Sequence, residues 1–380
     1  MKKNIVITCI ILLMFTLSIT ISASESSIVD SMEFQGTGAD LTFDKALNAA
    51  MESNAAISAA RSSLEQAKTS YNKKKSSIED TRKQLENLRE TKDSLNYMQG
   101  VTLPMLNLDY SVGSTQRTLD AIIVGQKAAV EQTYFSLLQA SRQCEIQKEN
   151  LDISASLYEK LQKKYSLGLI AKQEVLNGEM NLLDSQISYK SALNNLSKAK
   201  MALNNVLGYD LMNEINLQDE LTYKEFKVDS IAKAINDAIS SRNEIKSLEY
   251  AHKLEVLNLE ITRRIYSEGT YTEQEQIIKK DKALDDLENT KKAIELEVRN
   301  NYLDVLQKQE EIKSGEKSVE LANEAFRLSQ ATYDAGLGLQ TDVQKAQVSL
   351  QQAKLGLAQA ILDYNLAVLK FNDCIGIGRK

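Results

Sequence analysis

Apolar residues recur at every seventh position along most of this chain. The first such series is Val130, Leu137, Cys144, Leu151, Tyr158 and Tyr165. After a glycine turn, a second series is Val175, Leu182, Tyr189, Leu196 and Leu203. A sustained spacing of seven predicts long helices that supercoil left-handedly around their neighbours. Because the flanking positions are mostly small or polar, we expect these helices to meet several neighbours in a curved wall with one wet side.

The same pattern occurs a second time, 168 positions further along the chain. The residues Val130, Tyr134, Leu138, Gln139, Tyr165, Gly168, Leu169, Val175, Leu182, Ala192, Ala199, Asn204 and Gly208 recur as Val298, Tyr302, Leu306, Gln307, Tyr333, Gly336, Leu337, Val343, Leu350, Ala360, Ala367, Asn372 and Gly376. Between residues 130 and 208 the two copies align without a gap. A repeat of this length indicates one helical unit duplicated in tandem, and it favours a role in assembly over a role in chemistry.

The upstream helices repeat at a larger offset of 188 positions. The residues Ala46, Ala50 and Ile57 correspond to Ala234, Ala238 and Ile245. The first half therefore holds about 20 residues more than the second, and we place them within residues 97–115, which contain the only proline, Pro104. Apolar and polar residues alternate there from 106 to 112, which is typical of a strand. We therefore expect at most one short strand, near residues 105–112.

These patterns predict an all-α fold of two tandem repeats, each built on very long antiparallel helical hairpins. The predicted helices cover residues 42–96, 117–166, 172–207, 229–267, 273–334 and 340–373. The predicted divisions are a signal peptide (1–23), a flexible N-terminal segment (24–40), a first repeat (41–208), a connector (209–227), a second repeat (228–376) and a tail (377–380). Hairpins of this length cannot bury their apolar series alone, so the pattern predicts oligomerisation.

The N-terminus supports export. Lys2 and Lys3 precede an apolar stretch from 5 to 21, and small residues follow, as in a cleaved secretory signal. Removing residues 1–23 takes away two lysines and no acidic residue, so the net charge falls from −6 to −8. A negative charge argues against nucleic acid as the partner. The remainder has no second long apolar run, so no transmembrane helix is expected after the signal.

The residues that could act as catalytic groups or metal ligands are better interpreted as residues that pack in the core. His252, the only histidine, falls on the apolar series, where a lone imidazole is more often core than ligand. Cys144 and Cys374 also read as small apolar residues, too far apart along the hairpins for a disulfide. No zinc spacing, phosphate loop or nucleophile arrangement occurs, so we expect no metal, no cofactor and no enzyme.

Two segments join the helices of each hairpin and carry a resemblance to a known family. They are Tyr165-Ser-Leu-Gly-Leu-Ile-Ala-Lys-Gln-Glu-Val175 and Tyr333-Asp-Ala-Gly-Leu-Gly-Leu-Gln-Thr-Asp-Val343. Together with the opening Leu41-Thr-Phe-Asp-Lys-Ala-Leu47 and the glycines that end the repeats, they resemble TolC-like outer-membrane efflux proteins. The resemblance covers essentially all of residues 41–376. It implies a homotrimeric helical duct that docks through its hairpin tips to the adaptor (membrane fusion) protein of an ABC- or RND-type pump and passes small-molecule or peptide cargo.

The resemblance also implies roles for the tips. The predicted adaptor-contacting residues are Leu167, Gly168, Leu169, Ala335, Gly336 and Leu337. Glycine permits the left-handed backbone of a helix reversal, and exposed leucines offer apolar anchors. The alternative is that both segments are only glycine turns with hydrophobic staples.

Three further residues are candidates for the entrance of such a duct. Glu174 and Asp342 each lie six residues past a tip glycine, where family members place entrance carboxylates, and Tyr333 is a candidate partner that would hold the entrance closed. In a trimer each carboxylate would form an acidic ring. The alternative is that both carboxylates stabilise helix N-termini.

The chain departs from the family in lacking its usual β-barrel strands. Each family repeat contributes two strands, whereas this sequence offers one weak strand in its first half and none in its second. We therefore expect an exported protein of the cell envelope, in the outer membrane and periplasm or on the wall side of a single-membrane envelope. The alternative function is a non-conducting coiled-coil scaffold or adhesin.

Overall fold

A computed structural model describes residues 34–378, except for the side chains of residues 35–37 and 39. The strands are β1 (Gln35–Leu41) and β2 (Asn213–Leu217), and the helices are α1 (Phe43–Ser53), α2 (Ala55–Asn87), α3 (Leu95–Tyr97), α4 (Leu103–Ser166), α5 (Lys172–Leu207), α6 (Ile231–Ser241), α7 (Asn243–Ile265), α8 (Tyr271–Asp334) and α9 (Gln340–Cys374). A π-helical turn, Met98–Thr102, leads directly into α4. The predicted fold class, an almost entirely helical chain of long hairpins, is confirmed.

The tandem repeat is visible in the helix boundaries. Helices α4 and α8 each contain 64 residues and begin and end 168 positions apart. At 1.5 Å per residue each is about 96 Å long. Each turns back at a glycine into α5 or α9, so the hairpins α4–α5 and α8–α9 are the two copies of one unit.

Two of the predicted helices are interrupted, which corrects the sequence-based prediction. The helix expected over 42–96 breaks at Asn54, and the helix expected over 229–267 breaks at Arg242, 188 positions later. Both residues have extended backbone. Asn54 begins α2 by accepting a hydrogen bond from the Ile57 N–H (3.0 Å), as a helix N-cap does. Each break lets a short helix, α1 or α6, change direction towards the core of its repeat.

The strand predicted near 105–112 is wrong, because these residues belong to α4. Pro104 lies in the first turn of that helix, where a missing N–H costs no hydrogen bond. The alternating apolar residues serve neighbours on several sides: Leu106 packs beside α7, Val112 beside α2, and Tyr110 stacks on Tyr250 (3.7 Å between centroids). The extra residues of the first repeat instead lengthen α2 to 33 residues against 23 in α7 and form α3 and the π-helical turn.

The segment predicted to be flexible up to residue 40 contains a strand. β1 pairs in parallel with β2, which lies in the predicted connector 209–227, with Leu41 opposite Leu217. Leu41 and Ile215 are buried in the first core, which anchors the end of β1 beside β2. Residues 24–33 of the predicted flexible segment lie outside the described residues. The predicted signal peptide (1–23) and the last two residues of the predicted tail lie outside the described residues.

Each repeat has its own apolar core at the base of its hairpin. The first surrounds Tyr134 and Leu203, and the second surrounds Tyr364 and Phe371. The hairpins project from these cores as rods, with their glycine turns at the far end.

Within residues 34–378, no helix combines the length and the apolar character that crossing a bilayer requires.

Candidate functional site at the hairpin tips

Both hairpin turns are built by the same local backbone geometry. Gly168 (φ 72°) and Gly336 (φ 75°) adopt the left-handed conformation that ends a helix. The N–H of Leu169 donates to the carbonyl of Lys164 (3.0 Å), and the N–H of Leu337 donates to the carbonyl of Thr332 (3.0 Å). These bonds satisfy the last carbonyls of α4 and α8. The positive φ is the reason that glycine is needed at both positions.

The six residues predicted to contact an adaptor all lie on the surface. Leu167 is 73% exposed, Leu169 69% and Leu337 84%. Leu339, which the sequence analysis did not single out, is 67% exposed beside the second turn. Leucine side chains this exposed bury little apolar surface and contribute little to the free energy of folding. In a single copy the two tips therefore present an apolar surface at the end of the molecule.

The two tips lie side by side and are linked by polar contacts. The Tyr333 hydroxyl donates to Glu174 Oε2 (3.4 Å), which joins the end of α8 to the start of α5. Lys164 Nζ lies 3.9 Å from the centre of the Tyr333 ring and 3.9 Å from Asp334 Oδ1. The structure therefore brings together two of the three predicted entrance residues, Tyr333 and Glu174.

Burial and the Glu174 carboxylate determine the ionisation of Tyr333. Loss of water around the half-buried phenol, followed by the nearby negative charge and its hydrogen bond, raises the pKa of Tyr333 to about 12. The phenol is therefore a neutral hydrogen-bond donor throughout the physiological range.

Asp342, the third predicted entrance residue, is not part of this cluster. Its exposed side chain lies in the first turn of α9. Its Oδ1 atom is 4.0 Å from Lys345 Nζ, one turn further along the same helix. Glu174 has the same place in the first turn of α5. In a single copy Asp342 therefore matches the alternative interpretation, a carboxylate at a helix N-terminus.

Sequence analysis missed several residues that complete the tip, two of them charged. Lys164, Asp334, Leu339 and Gln340 help to line an open cleft of about 540 Å³ between the two turns. Charged residues near a helix end carry no pattern that distinguishes them from a solvated surface, so only the tertiary arrangement identifies them.

A buried polar cluster joins the hairpins further from the tips. Gln347, 2% exposed, donates to Asn150 Oδ1 and to Ser154 Oγ, both at 2.7 Å. Ser154 is in turn 2.8 Å from Ser185. Hydrogen-bonded polar groups fix one alignment of packed helices, because any shift would leave them buried without partners.

The two cysteines and the histidine considered in the sequence analysis lie outside the contacts at the tips. Cys144 and Cys374 are free thiols, and burial raises the pKa of both. His252 is half-buried on α7. Across residues 34–378, the structure contains no cluster of three or more side chains suited to hold a metal ion.

The fold and the tips together define a class of protein. Its members are elongated, are built from long helical hairpins, and have the turns of two hairpins side by side at one end. Residues 255–376 match the sequence model of the family "Outer membrane efflux protein". No curated protein sequence matches the chain.

Solved structures match almost the whole chain. A membrane protein from Pseudomonas aeruginosa is 13% identical with a TM-score of 0.68, covering 92% of this chain and 93% of that one. The outer membrane protein VceC from Vibrio cholerae is 12% identical with a TM-score of 0.65, covering 89% and 97%. The CmeC outer membrane channel of Campylobacter jejuni is 14% identical with a TM-score of 0.65, covering 90% of each.

The resemblance to TolC-like outer-membrane efflux proteins is therefore confirmed. The second repeat carries the family's sequence pattern, and the chain as a whole has the fold of these channels. The first repeat lies outside the sequence match, but both helices of its hairpin begin 168 positions before those of the second hairpin.

Proposed function

We propose that this protein is the duct of an efflux or export system, a trimeric helical channel in the cell envelope that docks through its hairpin tips to an adaptor protein of a pump. The observation that carries the proposal is the pair of exposed leucine tips at one end of two helices of 64 residues. The likeness to outer-membrane channels supports a conduit rather than an enzyme.

The tips suit a partner that supplies apolar contacts. Leu169 and Leu337 project beside an open cleft that also presents Lys164 and Glu174. An apolar anchor ringed by charges is the usual composition of a docking surface between proteins. The adaptor's own helical tips are the proposed occupant.

The contacts at the tips also suit a gate. Tyr333 and Glu174 hold the two hairpins of one copy together, and the proposed acidic rings of Glu174 and Asp342 would favour cations at the entrance. Selectivity for cargo would then come mainly from the pump. The adaptor would open the entrance by replacing the contacts between hairpins with its own.

The first experiment is single-particle electron microscopy of the purified mature protein, in detergent and in buffer. Threefold hollow rods are the expected result. Solid rods, or single copies that do not assemble, would contradict the duct and favour the scaffold or adhesin.

A second experiment tests the tips in cells. A photo-crosslinking residue at Leu169 or Leu337 should capture an adaptor protein that mass spectrometry identifies. The matched control is Leu88, which is 74% exposed in the loop at the opposite end. Capture of an adaptor at Leu88 but not at the tips would contradict the proposed docking surface.

A further inference from the structure

The segment before α6 is the second repeat's counterpart of β1. Thr42 and Ser230, 188 positions apart, cap α1 and α6 in the same way, each accepting a hydrogen bond from the N–H three residues later. β1 ends at Leu41, immediately before the first of these caps. By the same offset, its counterpart is residues 223–229. β1 pairs with β2, whereas residues 223–229 pair with no strand among residues 34–378.

One side of this segment is hydrogen-bonded to α9. Asn365 Nδ2 donates to the carbonyl of Thr222 (2.9 Å). The Tyr364 hydroxyl donates to the carbonyl of Lys224 (2.6 Å) and accepts from the N–H of Phe226. Contacts at every second residue are those of a strand, because alternate residues of a strand direct their backbone groups to opposite sides.

The other side of the segment is open. The backbone groups of Tyr223, Glu225 and Lys227 therefore face away from α9, and they form no hydrogen bond with any residue that the structure describes. Meanwhile the side chains of Phe226 and Val228 pack on the second core and hold the segment in place. A row of unpaired backbone groups on a fixed strand is a template for a further strand. We call these three residues the open edge.

The chain contains a segment suited to this edge. Residues 24–33 lie between the predicted signal peptide and Phe34, and ten extended residues span about 33 Å. They include Ile28 and Val29, which favour strands, and they contain no glycine or proline.

Position and charge also match. The segment 24–33 joins β1 at the first core, and the two cores adjoin, since Lys127 Nζ lies 3.0 Å from Asp373 Oδ1. It carries three acidic residues and no basic one, whereas residues 223–228 carry two lysines and one glutamate. Opposite charges on neighbouring strands stabilise their pairing.

We propose that residues 24–33 pair as a β-strand with the open edge. Each repeat then has a two-stranded sheet, and the N-terminal segment links the two repeats: residues 35–41 pair in the first and residues 24–33 in the second. The backbone supplies the hydrogen bonds of this contact, as in other cases of strand addition. The proposal goes beyond the proposed duct and does not depend on it.

Hydrogen exchange in the full-length mature protein tests the pairing, measured by mass spectrometry with fragmentation to single residues. The amides of the open edge should exchange roughly tenfold or more slowly than in an unfolded chain, because paired N–H groups are protected. The variant Ile28→Pro/Asp30→Pro removes two N–H donors from the added strand. It should return these amides to roughly the unprotected rate.

Two controls accompany this measurement. Ser24→Pro, at the very start of the segment, should leave the protection of the open edge unchanged. The amides of β2 should exchange at the same rate in all variants, which shows that the first core stays folded. Open-edge amides that are unprotected in the wild type would overturn the proposal, and so would protection that persists in Ile28→Pro/Asp30→Pro.

A zero-length crosslink gives a second test in the wild-type chain. A carbodiimide should join Asp30 or Glu33 to Lys224 or Lys227 through an amide bond, which peptide mapping detects. Mixing isotope-labelled and unlabelled protein shows whether the joined residues belong to one copy or to two, and either result supports the pairing. The absence of any such linked peptide would contradict it. Native mass spectrometry of the same samples keeps the two proposals apart: a trimer with an unprotected edge refutes only the pairing, and a monomer with a protected edge refutes only the duct.

Discussion

Single residues at the tips acquire different environments although the repeat duplicates them. Tyr333 is half-buried against Glu174 and Lys164, whereas its repeat equivalent Tyr165 is 45% exposed. The cause is position: Tyr333 faces the first hairpin of its own copy. The repeat pattern places Tyr333 at a helix end, as it does Tyr165, but only Tyr333 contacts the other hairpin.

The ionisation of Tyr333 should report this contact. In a difference titration of near-ultraviolet absorbance between the wild type and Tyr333→Phe, Tyr333 should ionise near pH 12 rather than at the ordinary pKa of 10.0. Because the folded-state pKa is raised, the contribution to stability is complete below pH 10.0 and is lost as the pH rises through about 12.

The variant Glu174→Gln separates the two causes of this shift. It should lower the pKa of Tyr333 only part of the way, because burial is the larger cause and remains. An unchanged pKa in Glu174→Gln would show that the two hairpins do not meet through this pair in solution.

Helix pairs are held at distances that depend on small residues. Gly178 lies buried on α5, and a Cβ at that position would overlap the buried side chain of Leu161 on α4. In the second hairpin the equivalent residue is Ala346, so this position is glycine in the first hairpin only. Glycine in mid-helix costs helix stability, and here close packing compensates for it.

Two glycine substitutions should therefore have opposite effects. Gly178→Ala should lower the free energy of unfolding by about 1–2 kcal/mol, because the added Cβ would lie 2.4 Å from Leu161 Cδ1 and the buried Leu161 side chain would have to shift. Gly356→Ala is the matched control on an exposed face of α9, where an added Cβ meets nothing within 4 Å. It should raise the free energy of unfolding by about 0.5–1 kcal/mol. Denaturant titration measures both, and equal stabilisation would refute the close approach.

At the scale of the whole molecule, one copy is an incomplete structure. Each repeat has a buried core at its base, but the hairpins leave apolar side chains in contact with water. On α5 these are Met180, Leu183 and Ile187, which lie on one face, and on α8 they include Leu296 and Leu303. Stability should therefore depend on association with further copies.

The melting temperature should consequently rise with protein concentration, since a tenfold increase contributes about 1.4 kcal/mol to each association step. Ile187→Glu, which places a charge in the uncovered face of α5, should lower the melting temperature and reduce its dependence on concentration. Leu88→Glu is the control, because Leu88 is similarly exposed but lies outside this face. A melting temperature independent of concentration in the wild type would contradict assembly through α5 and α8.

The long-range organisation followed from sequence because it depends on periodicity. The spacing of seven and the offset of 168 predicted one helical unit present twice, and in the structure α4 and α8 begin and end 168 positions apart. The start of α4 at Leu103, rather than at the predicted residue 117, was not foreseen. The glycines at 168 and 336 were identified as turns because no other residue type adopts their backbone as readily. The spacing within each helix and the backbone of each turn depend on residues close together in the chain, and the repeat is visible as a second copy of the same pattern. The sequence therefore shows these features directly.

Other features depend on neighbours that the sequence does not name. The alternation at 106–112 suggested a strand, yet these residues form a helix because α2 and α7 cover them from several sides. The pairing of β1 with β2 joins segments about 175 residues apart, which no local pattern reveals. The breaks at Asn54 and Arg242 likewise serve packing against the cores.

The sequence by itself determined a duplicated, almost entirely helical chain with exposed glycine tips, since periodicity and backbone preference act within a few turns of one helix. Only the tertiary structure decided that Tyr333 meets Glu174 and that Asp342 stays apart. It also decided that polar pairs such as Gln351–Gln147 and Lys354–Glu149 align α9 with α4. Those contacts join residues more than 150 positions apart, and their geometry follows from how two rods pack rather than from either rod alone.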